Sequence, residues 1–132
     1  METNSGKIQE FEELLTRYNR AFCDRDLTAL RALHVPDDEV PYFDNHADCD
    51  SGDLETHLQK VATFFETGDI VPMLVENVRA FVHGDAACVV ATFRYSAEPV
   101  PGVRASFFLE RHGPAWRIRH VHFSRDPNEA SA

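Results

Sequence analysis

Apolar residues in the first half of the chain recur at the spacing of amphipathic helices. Over residues 7–24 they return every third or fourth position, with glutamates and arginines between them. A shorter apolar stripe over residues 27–33 predicts a second helix, which Pro36 ends because proline cannot continue a helix. Residues 53–67 predict a third helix, with Ser51 as its candidate amino-terminal cap. The stripe of the first helix consists of Ile8, Phe11, Leu15, Tyr18 and Phe22.

The second half of the chain changes to long runs rich in β-branched and aromatic residues. Four such runs predict strands at residues 70–83, 86–97, 102–112 and 115–124. Short segments with glycine or proline separate them and predict the turns of an antiparallel meander. A short strand at Val40–Asp44 and an acidic loop precede the third helix. Helices first and strands later predict an α+β domain with the helices on one face of the sheet.

Two of the predicted strands carry apolar residues on both faces, around Cys88–Phe93 and Ala105–Leu109. An antiparallel sheet with one face in water should alternate more clearly between apolar and polar residues. We therefore expect the second face to be covered as well, most simply by another copy of the protein in a two-fold homodimer.

Length, charge and cysteine content narrow the class of protein. The 132 residues predict one globular domain over residues 8–126, between short tails at residues 1–7 and 127–132. A net charge of −9 argues against nucleic acid or an anionic membrane as a partner. No apolar run approaches the ~20 residues of a membrane span, and the amino terminus lacks the pattern of a signal peptide. Three dispersed cysteines fit a cytoplasmic protein with reduced thiols.

The acidic loop before the third helix offers oxygen ligands, but their spacing does not fit a metal site. A calcium loop that starts at Asp48 needs glycine and glutamate where the chain has Asp53 and Gln59. For zinc, His46 and Cys49 lack a matching second pair. The chain also has no glycine-rich phosphate loop and no nucleophile motif. We therefore expect no metal and no cofactor.

The segment Trp116–Ser124 resembles the Trp-x-Ile-x-His-x-His-x-Ser ending of SnoaL-like domains, which belong to the NTF2-like superfamily. Arg104 matches an arginine that these domains often carry on the preceding strand, and Ser51-Gly52 before the third helix also fits. The resemblance covers about residues 8–126. It implies a cone in which three amino-terminal helices pack on a strongly curved, mixed, mainly antiparallel sheet.

Members of this fold bind small molecules, catalyse reactions or assemble other proteins. The resemblance implies that this protein binds a small, largely apolar organic molecule in the cone. Its chemistry would be cofactor-free proton transfer of the isomerase, cyclase or dehydratase type. The alternative is a non-catalytic ligand-binding or oligomerisation module, similar to the kinase association domains.

Ketosteroid isomerases share this fold, and their pattern implies catalytic roles for two residues. Their helix tyrosine corresponds to Tyr18, whose phenol would stabilise an enolate oxygen. Their aspartate corresponds to Asp44, which would shuttle a proton as a general base. Their second acid falls near Ala105 or Ser106, so one donor is missing. The alternative is that Tyr18 is a core tyrosine and Asp44 a turn aspartate.

Strict alternation along the last strand leaves two arrangements open. The isomerase-like registration turns Arg119 into the cone and His120 and His122 toward the dimer interface, whereas polarity alone would turn the histidines inward. Arg104 is a candidate anchor for a ligand carboxylate, with a sheet-edge ion pair as the alternative. The predicted ligand-binding residues are Arg104, Arg119, His122, Phe22, Phe43 and Phe65.

Overall fold

The predicted helices and strands all appear in a computed structural model, which describes residues 5–44, 48–68, 70, 73–95 and 102–125. The helices are α1 (Ser5–Cys23), α2 (Leu27–Ala32) and α3 (Leu54–Thr67). The strands are β1 (Tyr42–Phe43), β2 (Met73–His83), β3 (Ala86–Tyr95), β4 (Val103–His112) and β5 (Ala115–Arg125). The predicted boundaries are therefore confirmed to within three residues. Residues 71–72 and 96–97 of the predicted strands, most of the turn predicted between β3 and β4, residues 1–4 of the predicted amino-terminal tail and the whole predicted carboxy-terminal tail lie outside the described residues.

The strands form one sheet in the order β1-β5-β4-β3-β2, in which β1 runs parallel to β5 and the other pairs are antiparallel. Gly84 and Gly113 have φ angles of 61° and 62°, the left-handed conformation that the two tight hairpins require. The register of β2 shifts between Glu76 and Arg79, where Asn77 has a φ of 58°. Such bulges bend a strand and increase its twist. The mixed, curved sheet with its helices confirms the predicted α+β fold.

The core lies between α1 and the inner face of the sheet. Phe11 and Leu15 of α1 are fully buried, as are Phe107 of β4 and Val121 of β5. Burying each such side chain stabilises the fold by roughly 1.5–3 kcal/mol. No helix within the described ranges combines the length and the apolar character that crossing a bilayer requires.

After α2 the chain runs beside β5, along the edge that β1 also pairs with. The Val35 amide donates to the Ile118 carbonyl at 3.0 Å, and the Ile118 amide donates to the Leu33 carbonyl at 2.8 Å. Arg117 donates from Nη1 to the carbonyl of Ala32 at 2.6 Å. These bonds position the segment that leads from α2 to β1.

The strict alternation expected for β5 is wrong because this strand contains a bulge. Phe108 pairs with His120 but Leu109 pairs with Ile118, so Arg119 is an extra residue at this step. Arg119 therefore lies outside with Glu110 instead of inside the cone, while His120 stays on the outer face. Residues on both sides of the bulge consequently face the core, namely Trp116, Ile118, Val121 and Phe123.

Asp53 caps α3, and Ser51 does not. The Asp53 carboxylate accepts a hydrogen bond from the Thr56 amide at 2.7 Å. Ser51 instead pairs with Tyr42 through two backbone hydrogen bonds of 2.8 and 2.9 Å. Its hydroxyl is buried and has no partner among the described residues.

We expect Asp53→Ala to lower the free energy of unfolding by about 1 kcal/mol, because the first turn of α3 loses its capping acceptor. Urea denaturation followed by circular dichroism measures this change. Ser51→Ala is the matched control and should be close to neutral, since its hydroxyl makes no hydrogen bond with the described residues. A greater loss for Ser51→Ala than for Asp53→Ala would contradict the assignment of the cap.

Candidate active site

Two buried phenols meet where α1 faces β1. Tyr18 and Tyr42 are each 5% exposed, and their hydroxyl oxygens lie 3.3 Å apart, so that either can donate to the other. Tyr18 belongs to the apolar stripe of α1. Tyr42 points inward because it alternates with the exposed Phe43 on β1. The two elements thus bring a pair of hydrogen-bonding groups together inside the apolar interior.

Aromatic rings of the sheet surround the two phenols. The ring of Phe107 meets Tyr18 edge to face, with the centroids 5.6 Å apart. Phe123 lies 6.4 Å from Tyr18 and 5.9 Å from Tyr42, and Phe93 lies 5.7 Å from Phe123. A wall of this low polarity strengthens every electrostatic interaction beside it.

Burial keeps both phenols protonated. Desolvation raises the pKa of Tyr18 to about 12, with the hydrogen bond to Tyr42 acting against it and the charge of Asp44 adding to it. Desolvation, followed by the charges of Tyr18 and Asp44, holds the pKa of Tyr42 well above its ordinary value. Both hydroxyls are therefore neutral near pH 7 and can donate a hydrogen bond to an oxygen that develops negative charge.

Asp44 is a half-buried carboxylate close to this pair. Its charge raises the pKa of both Tyr18 and Tyr42, and it stands two residues after Tyr42, directly beyond the end of β1. Its backbone amide donates to Asp50 Oδ1 at 2.8 Å. Lys60 of α3 donates from Nζ to the carbonyl of Asp50 at 2.7 Å, which fixes this part of the loop.

Two buried histidines extend the cluster on the side of α3. The ring of His57 stacks on Tyr42, with centroids 3.7 Å apart and planes 23° apart, and His34 lies 6.2 Å from His57. His34 Nδ1 lies 2.6 Å from the Leu30 carbonyl, and because a carbonyl only accepts, Nδ1 carries the proton. Nε2 of His34 is then an acceptor, buried without a partner among the described residues.

Burial also disfavours the charged form of both imidazoles. Desolvation, followed by the charges of His34 and Lys60, lowers the pKa of His57 to about 3. Desolvation also lowers the pKa of His34, although its hydrogen bond to the Leu30 carbonyl acts in the opposite direction. Both rings are therefore neutral near pH 7 and add no positive charge to the site.

Tyr42, His57 and His34 are members of this cluster that the sequence analysis did not predict, and for the first two of them a spacing in the sequence was an available signal. Tyr42 stands two residues before Asp44, so any inward-facing Asp44 on an extended segment implies an inward-facing Tyr42. His57 stands three residues after Leu54 and four before Val61, both on the apolar face of α3. These spacings are the signals that could have found them.

Phe22 and Phe65 lie on the same side of the sheet as the phenols. Phe22 follows Tyr18 by one helical turn on α1. Phe22 and Phe65 are both half-buried. Their rings meet edge to face with centroids 5.3 Å apart. Arg25 donates to the carbonyl of Phe65, which ties the end of α3 to the turn between α1 and α2. Half-buried apolar rings next to Tyr18 are suited to contact an apolar ligand.

The four other predicted ligand-binding residues do not join this cluster, because they lie on the outer face of the sheet. Arg119 bonds to Asp37 at 2.6 Å and to Glu110 at 2.9 Å, and it holds the pKa of both carboxyls below their usual values. Phe43 and His122 pair across β1 and β5, with centroids 5.5 Å apart. The residues on this face are Arg104, Arg119, His122 and Phe43.

A separate groove of about 280 Å³ lies between α1, the end of α2 and the β4–β5 turn. Its lining includes Leu14, Leu33 and Trp116, with Arg17 and Arg117. None of the predicted site residues lines it. Within the described ranges, no three histidine, cysteine or acidic side chains are grouped to hold a metal ion. His46, considered as a zinc ligand, lies outside the described residues.

Solved structures share this α+β cone at low sequence identity, which establishes the fold alone. A Streptomyces avermitilis protein described as a "putative dehydratase from the NTF2-like family" has a TM-score of 0.75 and 19% identity, over 94% of this chain and 99% of that chain. An NTF2-like protein of unknown function from Pseudomonas putida KT2440 has a TM-score of 0.74 and 20% identity, over 98% of this chain and 94% of that chain. A "putative calcium/calmodulin-dependent protein kinase type II association domain" from Thiobacillus denitrificans has a TM-score of 0.72 and 18% identity, over 87% of this chain and 94% of that chain.

The fold is thus that of NTF2-like proteins. The chain belongs to the family of SnoaL-like domains, whose model matches residues 11–127. No curated protein matches the chain significantly. The family predicted from the Trp116–Ser124 segment is confirmed.

We expect the protein to lose stability as the pH falls below about 6.5, because unfolded histidines bind protons that buried His57 and His34 do not bind in the folded state. The loss attributable to His57 continues until the pH nears its folded pKa of about 3. As the pH falls from about 6.5 to about 5, His57 alone should lower the free energy of unfolding by about 2 kcal/mol. Urea denaturation at a series of pH values measures the change.

His57→Phe keeps an aromatic ring against Tyr42 and should remove this part of the pH dependence. His83→Gln is the control, because His83 is exposed at the end of β2. An unchanged pH dependence in His57→Phe would show that His57 is not held neutral by burial.

Proposed function

We propose that the protein binds a small, largely apolar organic molecule on the helix side of the sheet and catalyses cofactor-free proton transfer at carbon. The class of reaction is that of an isomerase, cyclase or dehydratase. One observation carries this proposal: two neutral phenols lie 3.3 Å apart in an aromatic environment, with the half-buried Asp44 carboxylate near both. Such a site pairs an acceptor for a proton with a donor for an oxyanion.

The proposed reaction begins with a ligand whose carbonyl oxygen accepts a hydrogen bond from Tyr18. Asp44 removes a proton from the adjacent carbon, the C–H bond breaks, and its electron pair passes to the carbonyl oxygen. Tyr18 stabilises the resulting enolate, and Tyr42 donates to Tyr18. Where the ligand has a carbon–carbon double bond next to that carbon, the enolate is conjugated with it, and return of the proton from Asp44 to the far carbon of the double bond completes an isomerisation.

Tyr42 supplies a second hydroxyl in a site that lacks a second acid. Ala105 faces the interior and has no donor, while Ser106 is exposed on the other face. The donor pair is therefore Tyr18 with Tyr42, rather than a tyrosine with a protonated acid. Phe22 and Phe65 provide apolar contact area beside it. The Streptomyces avermitilis protein of the same fold, described as a "putative dehydratase", belongs to one of the proposed reaction classes.

A non-catalytic ligand-binding or oligomerisation module is the second candidate. The observation that favours it is the position of Asp44 at the start of a loop, where it remains partly exposed to solvent. A hydrated carboxylate is a weak base and would leave the phenols as a binding site alone. The structure from Thiobacillus denitrificans, described as an association domain, has the same fold.

The titration of Asp44 separates the two candidates. A base for proton transfer should titrate above about 5, whereas an ordinary aspartate titrates near 4. Carbon-13 NMR of the side-chain carboxyls measures the pKa, and Asp44→Asn identifies the resonance. A value near 4 favours the binding module.

Binding of 2-naphthol, a flat apolar molecule with one oxygen, tests the position of the ligand. Tyr18→Phe should weaken binding about fivefold, because one hydrogen bond of about 1 kcal/mol is lost. Arg104→Ala is the control and should leave the Kd unchanged, since Arg104 lies on the opposite face of the sheet. Fluorescence titration measures both. If Arg104→Ala weakened binding and Tyr18→Phe left the Kd unchanged, the ligand would lie outside the cone.

A further inference from the structure

A second concave surface lies away from the phenols, in the groove of about 280 Å³ between α1, the end of α2 and the β4–β5 turn. Its floor is apolar and consists of Leu14, Leu33 and Trp116, which are 2–8% exposed. Pro114 and Ala115 continue this apolar surface at the rim. We call this surface the hairpin groove. It can contact the hydrocarbon part of a ligand.

The floor of the hairpin groove is held in place by contacts within the fold. The Trp116 ring packs on Phe11 with centroids 5.4 Å apart, and the guanidinium carbon of Arg111 lies 4.4 Å from the centre of the Trp116 ring. The carbonyl of Leu33 accepts a hydrogen bond from the Ile118 amide at 2.8 Å. A surface that is already ordered loses little conformational entropy when a ligand binds.

Two guanidinium groups line the hairpin groove, and neither forms an ion pair with a carboxylate of the described residues. Arg17 belongs to α1 and Arg117 to β5. Arg117 donates from Nη1 to the carbonyl of Ala32 at 2.6 Å, which anchors its side chain and uses only part of the donor set of a guanidinium. In a chain with a net charge of −9, two arginines without a carboxylate partner can be complemented by an anionic ligand.

The lining of the hairpin groove also contains one carboxylate, that of Glu10. Glu10, Leu14 and Arg17 follow each other on one face of α1 at spacings of four and three residues. Because each residue of a helix rises ~1.5 Å, Glu10 lies roughly 10 Å from Arg17 along the axis. The lining thus carries one net positive charge, with its negative group kept apart from Arg17. This balance fits a ligand with a single negative charge.

The volume of the hairpin groove restricts the ligand to a small molecule. A water molecule occupies ~30 Å³, so that 280 Å³ accommodates on the order of ten non-hydrogen atoms. A carboxylate with one ring or a short chain has this size, whereas a peptide segment of several residues needs a longer groove.

We propose that the hairpin groove binds a small monocarboxylic acid, in its ionised form, that carries an apolar ring or chain. The carboxylate accepts hydrogen bonds from Arg17 and Arg117, and the hydrocarbon part lies on Leu14, Leu33 and Trp116. The groove shares no residue with the phenol site. Binding there therefore does not depend on the proposed proton transfer.

The fluorescence of Trp116 tests the proposal directly, because the chain has a single tryptophan and it lines the hairpin groove. The probe is 3-cyclohexylpropanoate, which does not absorb where tryptophan is excited. We expect a saturable change with a Kd of about 1 mM or tighter. The uncharged 3-cyclohexylpropanamide has a similar shape and should bind about tenfold more weakly. No saturable change with the carboxylate, or equally tight binding of the amide, would overturn the proposal.

Substitutions on α1 locate the ligand. Arg17→Gln should raise the Kd of 3-cyclohexylpropanoate about tenfold, because a charge-assisted hydrogen bond is lost. Arg20→Gln is the matched control, since it removes the same charge from an exposed arginine one turn further along α1 that does not line the groove. Its Kd should equal that of the unmodified protein. An equal loss of affinity in both variants would show that net charge alone attracts the anion, which contradicts the proposal.

Glu10→Gln changes the affinity in the opposite direction, so that its effect differs from that of a disturbed helix. Removal of a like charge roughly 10 Å away should tighten the binding of 3-cyclohexylpropanoate about twofold. A substitution that only disturbed α1 would weaken binding. Weaker binding in Glu10→Gln, together with an unchanged Kd in Arg17→Gln, would overturn the proposed position of the carboxylate.

Discussion

The contact of α1 with the inner face of the sheet is the interaction on which the rest of the structure depends. Apolar side chains of the helix pack against β4 and β5, and Tyr18 is carried inside with them. A buried hydroxyl without a partner is costly. Tyr42 provides that partner. The packing that stabilises the fold therefore also determines where the phenols meet and why both stay protonated.

The sheet separates two kinds of surface. Its inner face holds the phenols, the aromatic wall and the neighbouring Asp44, whereas its outer face carries exposed rings and arginines. The bulge at Arg119 maintains this division, because without it the strand could not direct both Ile118 and Val121 into the core. The guanidinium of Arg119 leaves the core and links β4 to the segment before β1 through Glu110 and Asp37.

Much of this architecture could be predicted because it is encoded locally. Helix and strand periodicity defined the elements, and the closing segment indicated the family. The orientation of β5 could not be predicted, since one inserted residue reverses the alternation and leaves no local mark. The cap of α3 was misplaced because Ser51 and Asp53 are both good caps two residues apart. The stacking of Tyr42 on His57 joins β1 to α3, and such a non-local contact is not visible in the spacing of either element.

The chain segment beside β5 has a consequence for how the folded protein behaves at high concentration. Leu33 and Val35 occupy backbone groups of Ile118, and β1 continues along the same border, so a foreign strand finds few free amides there. At the opposite border, β2 is interrupted where Asn77 adopts a left-handed conformation. Over the residues that the structure describes, neither border offers an unbroken ladder on which further strands could add. The native fold is therefore a poor template for fibre growth, even though its open face is rich in aromatic rings.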